Sequence, residues 1–433
     1  MTMNKNKIVS LIASPLFVMQ AAYAAEQSDT GFIADSHLSV LNRNYYYNSD
    51  NHSGGKDGRE WGHSILTNFT SGYTEGLVGF GLDAHAYASF KLDSGSGRNR
   101  TDMFPLQSNG DSRDQSGSAG GSVKMRISKS ELHYGNLRPY NPVFALADTR
   151  LTPATATGFM LTSSEIDGLD LDAGHFTSGK DYNQSHSDGD FYAGYAGVKG
   201  GNIDYLGGSY RISDKANVTV YTSRYEDLWR QHYLNANYTF ALGEQRSLNL
   251  DANLYRTDEQ GQALAGDIDV TAGSLTAAYT VNAHTFSLGY QKIHGDQPQD
   301  YLMMSGGGFQ DSIYLGNASQ YADFNGPNEQ SWLIGYSLNL ASYGIPGASF
   351  SIRHVRGSDI DGSKTAASSP YAYYGKNEKH HTTDLDARYV VQSGPAKDLM
   401  VRVRHASHRM TSGKSDIDVD RFRVVVEYPL NIF

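Results

Sequence analysis

The chain of 433 residues contains no cysteine, so no disulfide framework can staple it. Nowhere past its first residues does it approach the roughly 18 consecutive apolar residues that a membrane-spanning helix requires. Positive charge is in deficit: 36 Lys and Arg against 46 Asp and Glu give a formal net charge of −10, which argues against a nucleic-acid partner. Catalytic signatures are missing too. No G-x-S-x-G elbow, H-E-x-x-H helix, P-loop or G-x-G-x-x-G is present, and no cofactor is implied. Proline is scarce at 11, yet Tyr, Phe and Gly reach 30, 17 and 46 in a chain only 39% hydrophobic. That mixture is unusual in a soluble enzyme of this size. It suits a transmembrane barrel, in which only alternate residues meet lipid and tyrosines populate the interfacial girdles.

The apolar residues fall on a period of two. Leu234, Ala236, Tyr238 and Phe240 oppose Asn235, Asn237 and Thr239. Leu248, Leu250, Ala252 and Leu254 oppose Asn249, Asp251 and Asn253. Leu275, Ala277 and Tyr279, then Phe286, Leu288 and Tyr290, then Trp332, Ile334, Tyr336, Leu338 and Leu340 repeat the pattern. One such segment also fits a half-buried soluble strand; many along one chain predict an all-β, antiparallel transmembrane barrel. At roughly 20–24 residues per strand and turn the chain accommodates about 16–20 strands, a size that leaves an aqueous lumen. Polar stretches separate them: Asn48 to Asp57, Asp93 to Ser122, Gly306 to Gln310 and Ser358 to Asn377 read as long loops. Gly243–Gln245 and Ser393–Pro395 read as tight turns. The segment Arg138 to Ser163 carries Pro139, Pro142 and Pro153 without clean alternation, and is expected to fold inward and narrow the lumen.

The two ends agree with export. Lys5 and Lys7 precede an apolar run from Ile8 to Met19 and then Ala22-Tyr23-Ala24, the layout of a signal peptide cleaved after residue 24. Residues 25–433 are then expected to form one barrel domain, more acidic than the precursor because the excised segment carries lysines and no acid. At the other end Val424, Val426, Tyr428 and Leu430 alternate, Arg421 and Arg423 take the opposite parity, and the chain stops on Phe433. A strand apolar on one face, basic on the other and ending in an aromatic residue is the expected closing strand, read by the barrel-assembly machinery.

Residues that could carry chemistry are few. Asp416-x-Asp418-x-Asp420 and Asp170-x-Asp172 do not complete a calcium loop and read as solvated acids. His380, His381, His405 and His408 have no acid or cysteine that completes a recognisable metal-ligand set, so they read as scattered surface histidines and no metal is expected. His175 lies near acids, but no serine or cysteine motif accompanies it, and an enzyme is not expected. A secreted soluble β-protein would share the leader and the alternation but not the closing strand. The arginines are more specific. Arg402 and Arg404 share the water-facing parity, roughly 7 Å apart along a strand, and Arg421 with Arg423, Arg388 and Arg353 also fall on polar parities. They either balance lumen acids or form a row of fixed positive charges that guides anions.

Several runs, among them Asn42–Asn48, Gly72–Ala84, Thr149–Pro153, Arg230–Asn235, Tyr321–Pro327 and Tyr389–Leu399, resemble the OprD (Occ) family of substrate-specific outer-membrane porins. The resemblance covers essentially the whole mature chain. It implies an 18-stranded barrel with an inward constriction loop in the outer membrane of a Gram-negative bacterium, as a monomer or loose homotrimer passing small zwitterionic or anionic solutes. One branch, to which the two last runs point, takes up basic amino acids, small peptides containing them and carbapenems; the alternative is a porin for other carboxylates such as aromatic acids. Position by position, the family's basic ladder falls on Arg150, Arg388, Arg402, Arg404 and Arg423, and its acidic constriction on Tyr195, Asp311 and Asp323. Two places depart from that branch: Ser49 and Gly58, with Arg59 alongside, stand where basic residues are expected, and Ala318 replaces a serine.

Overall fold

The computed structural model describes residues 31–95 and 97–433, and the expected signal peptide lies outside the described residues. Eighteen strands form the wall. They are β1 (His37–Asn51), β2 (Gly58–Thr70), β3 (Gly79–Lys91), β4 (Gln115–Ile127), β5 (Ser130–Leu137) and β6 (Thr155–Ile166). There follow β7 (Leu169–Lys180), β8 (Ile203–Ser213), β9 (Ala216–Tyr225), β10 (Trp229–Ala241), β11 (Arg246–Glu259) and β12 (Asp269–Val281). The last six are β13 (His284–His294), β14 (Gln330–Asn339), β15 (Ala348–Ile360), β16 (Glu378–Val390), β17 (Met400–Ser412) and β18 (Val419–Asn431). Each strand pairs antiparallel with the next, and β18 pairs back onto β1, with Tyr47 opposite Arg423. The ring closes, so the wall has no free edge and its backbone groups satisfy one another where no water reaches them. No helix is long and apolar enough to cross a membrane; here the strands cross.

The outer parity is the apolar one, as the alternation predicts. Phe286, Leu288, Trp332 and Ile334 are each more than half exposed, a belt that would aggregate in water and that lipid covers instead. Aromatic neighbours pair across strands on this face, Tyr290 with Trp332 at 4.7 Å and Tyr134 with Phe159 at 4.4 Å between ring centroids. The longest connections gather at one end of the barrel. One end carries the short turns 128–129, 167–168, 214–215, 242–245 and 282–283, and the other carries the loops 92–114, 138–154, 181–202, 295–329 and 361–377.

Several expected boundaries move. The first loop is only 52–57, because β1 continues to Asn51, and Gln115–Ser122 already belongs to β4. The glycine-rich run 306–308 sits inside a much longer loop, 295–329, and β14 ends at Asn339, so Leu340 falls in a short 3-10 turn. The inward segment stops at Ala154, and residues 155–163 belong to β6. Alternation was obscured there because Met160, on the inner parity, is itself apolar and packs against the interior cluster.

That interior cluster explains the asymmetry of the lumen. Val143, Phe144 and Leu146 of the 138–154 loop are buried against Phe176, Phe191, Tyr205 and Trp229 of the wall and of the 181–202 loop. Tyr225 and Tyr255 donate their hydroxyls to the carbonyls of Val143 and Pro142, at 2.8 and 2.9 Å. The loop therefore seals one side of the barrel with a dry aromatic core and leaves the water path along the arginine-bearing strands.

Candidate functional site

A cavity of about 1580 Å³ runs along that side. Arg150, Arg388, Arg402, Arg404, Arg423, Tyr195, Asp311 and Asp323 all line it, so every expected channel residue reaches one space. Register sets the order of the arginines. Arg404 lies directly opposite Arg423, and Arg402 directly opposite Arg388. Like charges facing each other across a ladder oppose pairing, so these two rungs cost the wall stability.

Partial compensation comes from a residue the sequence reading passed over. Asp386 accepts from Arg402 Nε at 2.9 Å and Nη2 at 2.6 Å, and stands 3.2 Å from Arg404 Nε. One carboxylate thus offsets part of the charge of two guanidinium groups. Arg423 instead donates to Gln320 Oε1 at 2.7 Å, and Arg388 makes no ion pair among the described residues. Arg421 stacks over the Tyr321 ring at 4.3 Å and Arg353 donates to the Gly316 carbonyl at 3.2 Å, and both line the same cavity. Shared inner parity with Asp384 and Arg404 was the signal available for Asp386; pairing it with its partners needed the register.

The infolded loop delivers Arg150. Leu151 is fully buried with Tyr45, Tyr47, Met103 and Phe104, and Ser64 Oγ donates to its carbonyl at 2.7 Å. Arg150 then lies over the rings of Tyr47 and Tyr182, 5.2 Å from each, with Nε donating to the Thr101 carbonyl. Anchored thus on both sides, the guanidinium is presented to the channel with its charge uncancelled by a direct carboxylate contact among the described residues.

The acidic side comes from the 295–329 loop. Asp181 receives the N–H of Gly308 at 2.8 Å and the Gln310 amide at 3.0 Å. A Cβ on Gly306 would meet Asn183 Oδ1 at 2.1 Å and Asp181 Oδ2 at 2.6 Å, so a larger residue here would displace both side chains. Gln310 and Ser312 bind the 138–154 backbone at Ala147 and Ala145, and Asp311 is held between them. Burial first, and then the Asp148 charge, pushes the Asp311 carboxyl up to about 7, with Arg150 opposing. Its Oδ2 has no hydrogen-bond partner. Asp323 accepts the hydroxyls of Tyr195 at 3.0 Å and Tyr301 at 2.6 Å. Buried Asp300, which sequence reading missed, fixes both tyrosines by accepting their backbone N–H groups at 2.8 and 2.7 Å.

Other expectations change. Arg59 shares the parity of exposed Trp61 on the outer face and cannot supply charge to the channel. A Cβ on Gly58 would lie 2.4 Å from the Arg100 carbonyl, so no basic side chain fits there. His175 is paired with Asp204 at 2.6 Å. His380 and His408 are not surface residues; they are 6% and 0% exposed and face each other inside the wall.

The family described as outer membrane porin, OprD family, matches residues 30–432. The chain belongs to the OprD family. Porin D of Pseudomonas aeruginosa is 50% identical over 427 residues, covering 97% of this chain and 96% of that protein. The crystal structure of Pseudomonas aeruginosa OprD superposes with a TM-score of 0.82 at 47% identity, over 93% of this chain and 97% of that one. Pseudomonas aeruginosa OpdK, crystallised with vanillate, gives 0.83 at 32% identity, over 93% of this chain and all of that one. The protein is therefore a substrate-specific porin of the Gram-negative outer membrane, a channel by family and fold.

Proposed function

We propose that this porin admits basic amino acids, small peptides containing them and carbapenems that pair a carboxylate with a basic group. The observation that carries the reading is a single cavity lined by strand-borne arginines together with the loop carboxylates Asp311 and Asp323. A solute's carboxylate passes from Arg421 to Arg423 and Arg404, then to Arg402 and Arg388, in steps of roughly 7 Å set by the strand rise. Its ammonium or guanidinium is held by Asp311 and Asp323. Each wet contact contributes about 1 kcal/mol, and two or three together give binding only in the range of about 5–35 mM. Passage requires such weakness, since a tighter site would retain the solute.

The second reading, a porin for other small carboxylates such as aromatic acids, is favoured by the relative crystallised with vanillate. Liposome uptake of arginine, lysine, glutamate and benzoate separates the two. Asp311→Asn combined with Asp323→Asn is expected to depress arginine and lysine uptake by about 30-fold, as loss of about 2 kcal/mol implies, and to spare benzoate. High salt should erode the difference, because the screening length falls from about 10 Å at 0.1 M to about 3 Å at 1 M. Equal loss for all four solutes, or no loss for arginine, rejects the basic-amino-acid reading. We also assign export to residues 1–24, insertion to the barrel-assembly machinery acting on the closing strand, and a monomeric or loosely trimeric working state.

A further inference from the structure

Above the arginine row, three ligand-type side chains converge on one point. Strand β16 supplies His380, β17 supplies His408, and the 413–418 loop supplies Asp416, with one ligand-type atom from each lying within 4.8 Å of the others. His408 Nε2 is 3.1 Å and His380 Nδ1 is 4.0 Å from Asp416 Oδ2. Both nitrogens are buried; His408 Nε2 faces Asp416 Oδ2 at pairing distance, and His380 Nδ1 has no hydrogen-bond partner. Buried polar atoms are normally satisfied, so the unsatisfied His380 Nδ1, aimed with His408 Nε2 at one carboxylate oxygen, points to something held between the three groups.

The opposite edge of each ligand is already fixed. His380 Nε2 is bound to Glu329 Oε1 at 2.6 Å, and His408 Nδ1 to Thr382 Oγ1 at 2.8 Å. Tyr321 donates its hydroxyl to Asp416 Oδ1 at 2.8 Å. This is the outer shell that orients imidazole and carboxylate ligands toward a metal: the outward nitrogen of each ring is occupied, which turns the inward one to the centre. The inner loop supplies Tyr321 and Phe324, whose rings lie 4.5 Å from that of His408 and 4.4 Å from that of His380, and they shield the site from bulk water. His380, Asp416 and Glu329 also line the channel cavity, which leaves a fourth position for water or a passing carboxylate.

We propose that His380, His408 and Asp416 form a site for a zinc-class divalent cation in the channel wall, and that its occupancy raises anion selectivity. Two imidazoles and one carboxylate suit zinc and cobalt, with ligands about 2.0–2.2 Å from the metal, and not magnesium, which prefers oxygen donors and retained water. Small rotations bring the three atoms to that spacing. A bound dication reverses the charge of Asp416 beside Arg421 and extends the positive field toward the long-loop end. This inference is independent of which solute the porin carries.

The test uses the full-length porin, purified in detergent, stripped with EDTA and titrated with Co²⁺, Zn²⁺ or Mg²⁺. About one Co²⁺ per chain should bind with the visible absorption of a low-coordinate site, Zn²⁺ should displace it, and Mg²⁺ should not. Asp416→Asn should abolish this, and Glu329→Gln, a positioning change, should weaken it by about 10–100-fold. In planar bilayers under a salt gradient, Zn²⁺ should move the reversal potential toward anion selectivity in the unaltered porin and not in Asp416→Asn. Heat-modifiable gel mobility reports whether each variant folds; if Asp416→Asn does not, His408→Gln takes its place. No low-coordinate Co²⁺ signal, equal competition by Mg²⁺, or unchanged binding in folded Asp416→Asn overturns the site. Binding without a Zn²⁺-dependent shift in reversal potential overturns its role in selectivity.

Discussion

Asp386 is the carboxylate that the arginine row meets on its own wall. It cancels part of the charge of Arg402 and Arg404, while Arg423 and Arg388 keep theirs. Replacing Arg402 and Arg404 together by glutamine leaves Asp386 without its cations and makes that rung acidic. Carboxylate flux is expected to fall about fivefold per lost contact, taking about 1 kcal/mol each, and the reversal potential to move toward cations. Unchanged values in planar bilayers would mean that this pair only balances Asp386. Asp311 adds a pH dependence. Its carboxyl, pushed up to about 7 by burial, is mostly neutral at pH 6 and mostly charged at pH 8. Lysine uptake should therefore rise as pH increases through 7, and Asp311→Asn should flatten that rise; a flat profile in the unaltered porin contradicts it.

The 138–154 loop is the element that makes a narrow channel from a wide barrel. Its hold is hydrophobic at Phe144, which packs on Phe176 and Phe191 with centroids 5.0 and 5.9 Å away. It is polar at Ala145 and Ala147, which engage the 295–329 loop. Phe144→Ala should cost about 3–5 kcal/mol of local packing, loosen both loops together and shift Arg150 and Asp311 away from each other. Larger and noisier single-channel currents with weaker solute discrimination are expected. An unchanged conductance would show that the polar contacts alone fix the loop.

The wall as a whole is a closed hydrogen-bond ring, sealed where β18 meets β1. At that seam Leu38 N–H donates to the Phe433 carbonyl at 3.0 Å, and Ile432 N–H to the Leu38 carbonyl at 2.8 Å. Closure without an edge gives kinetic resistance to detergent, so the porin should migrate faster on gels before boiling than after. Deleting Phe433 removes one seam acceptor and should lower the folded fraction recovered from the outer membrane. Normal recovery would separate closure from this residue.

Period-two alternation, a local property, made the barrel legible in the sequence: lipid reads one face of every strand, so Leu275, Phe286 and Trp332 declare their orientation without any partner. Parity likewise put Arg388, Arg402, Arg404 and Arg423 on the water side, and resemblance to the OprD family supplied Tyr195, Asp311, Asp323 and the strand number. Parity says which face a residue takes but not which residue on the next strand it meets. Register decided that Arg404 opposes Arg423, that Asp386 reaches two guanidinium groups, and that His380 and His408 meet inside the wall rather than scatter over the surface. Loop packing decided the rest. Asp300, Asp181 and Phe144 act across separations of scores of residues through buried hydrogen bonds and ring contacts, and such long-range contacts leave no period in the chain to read.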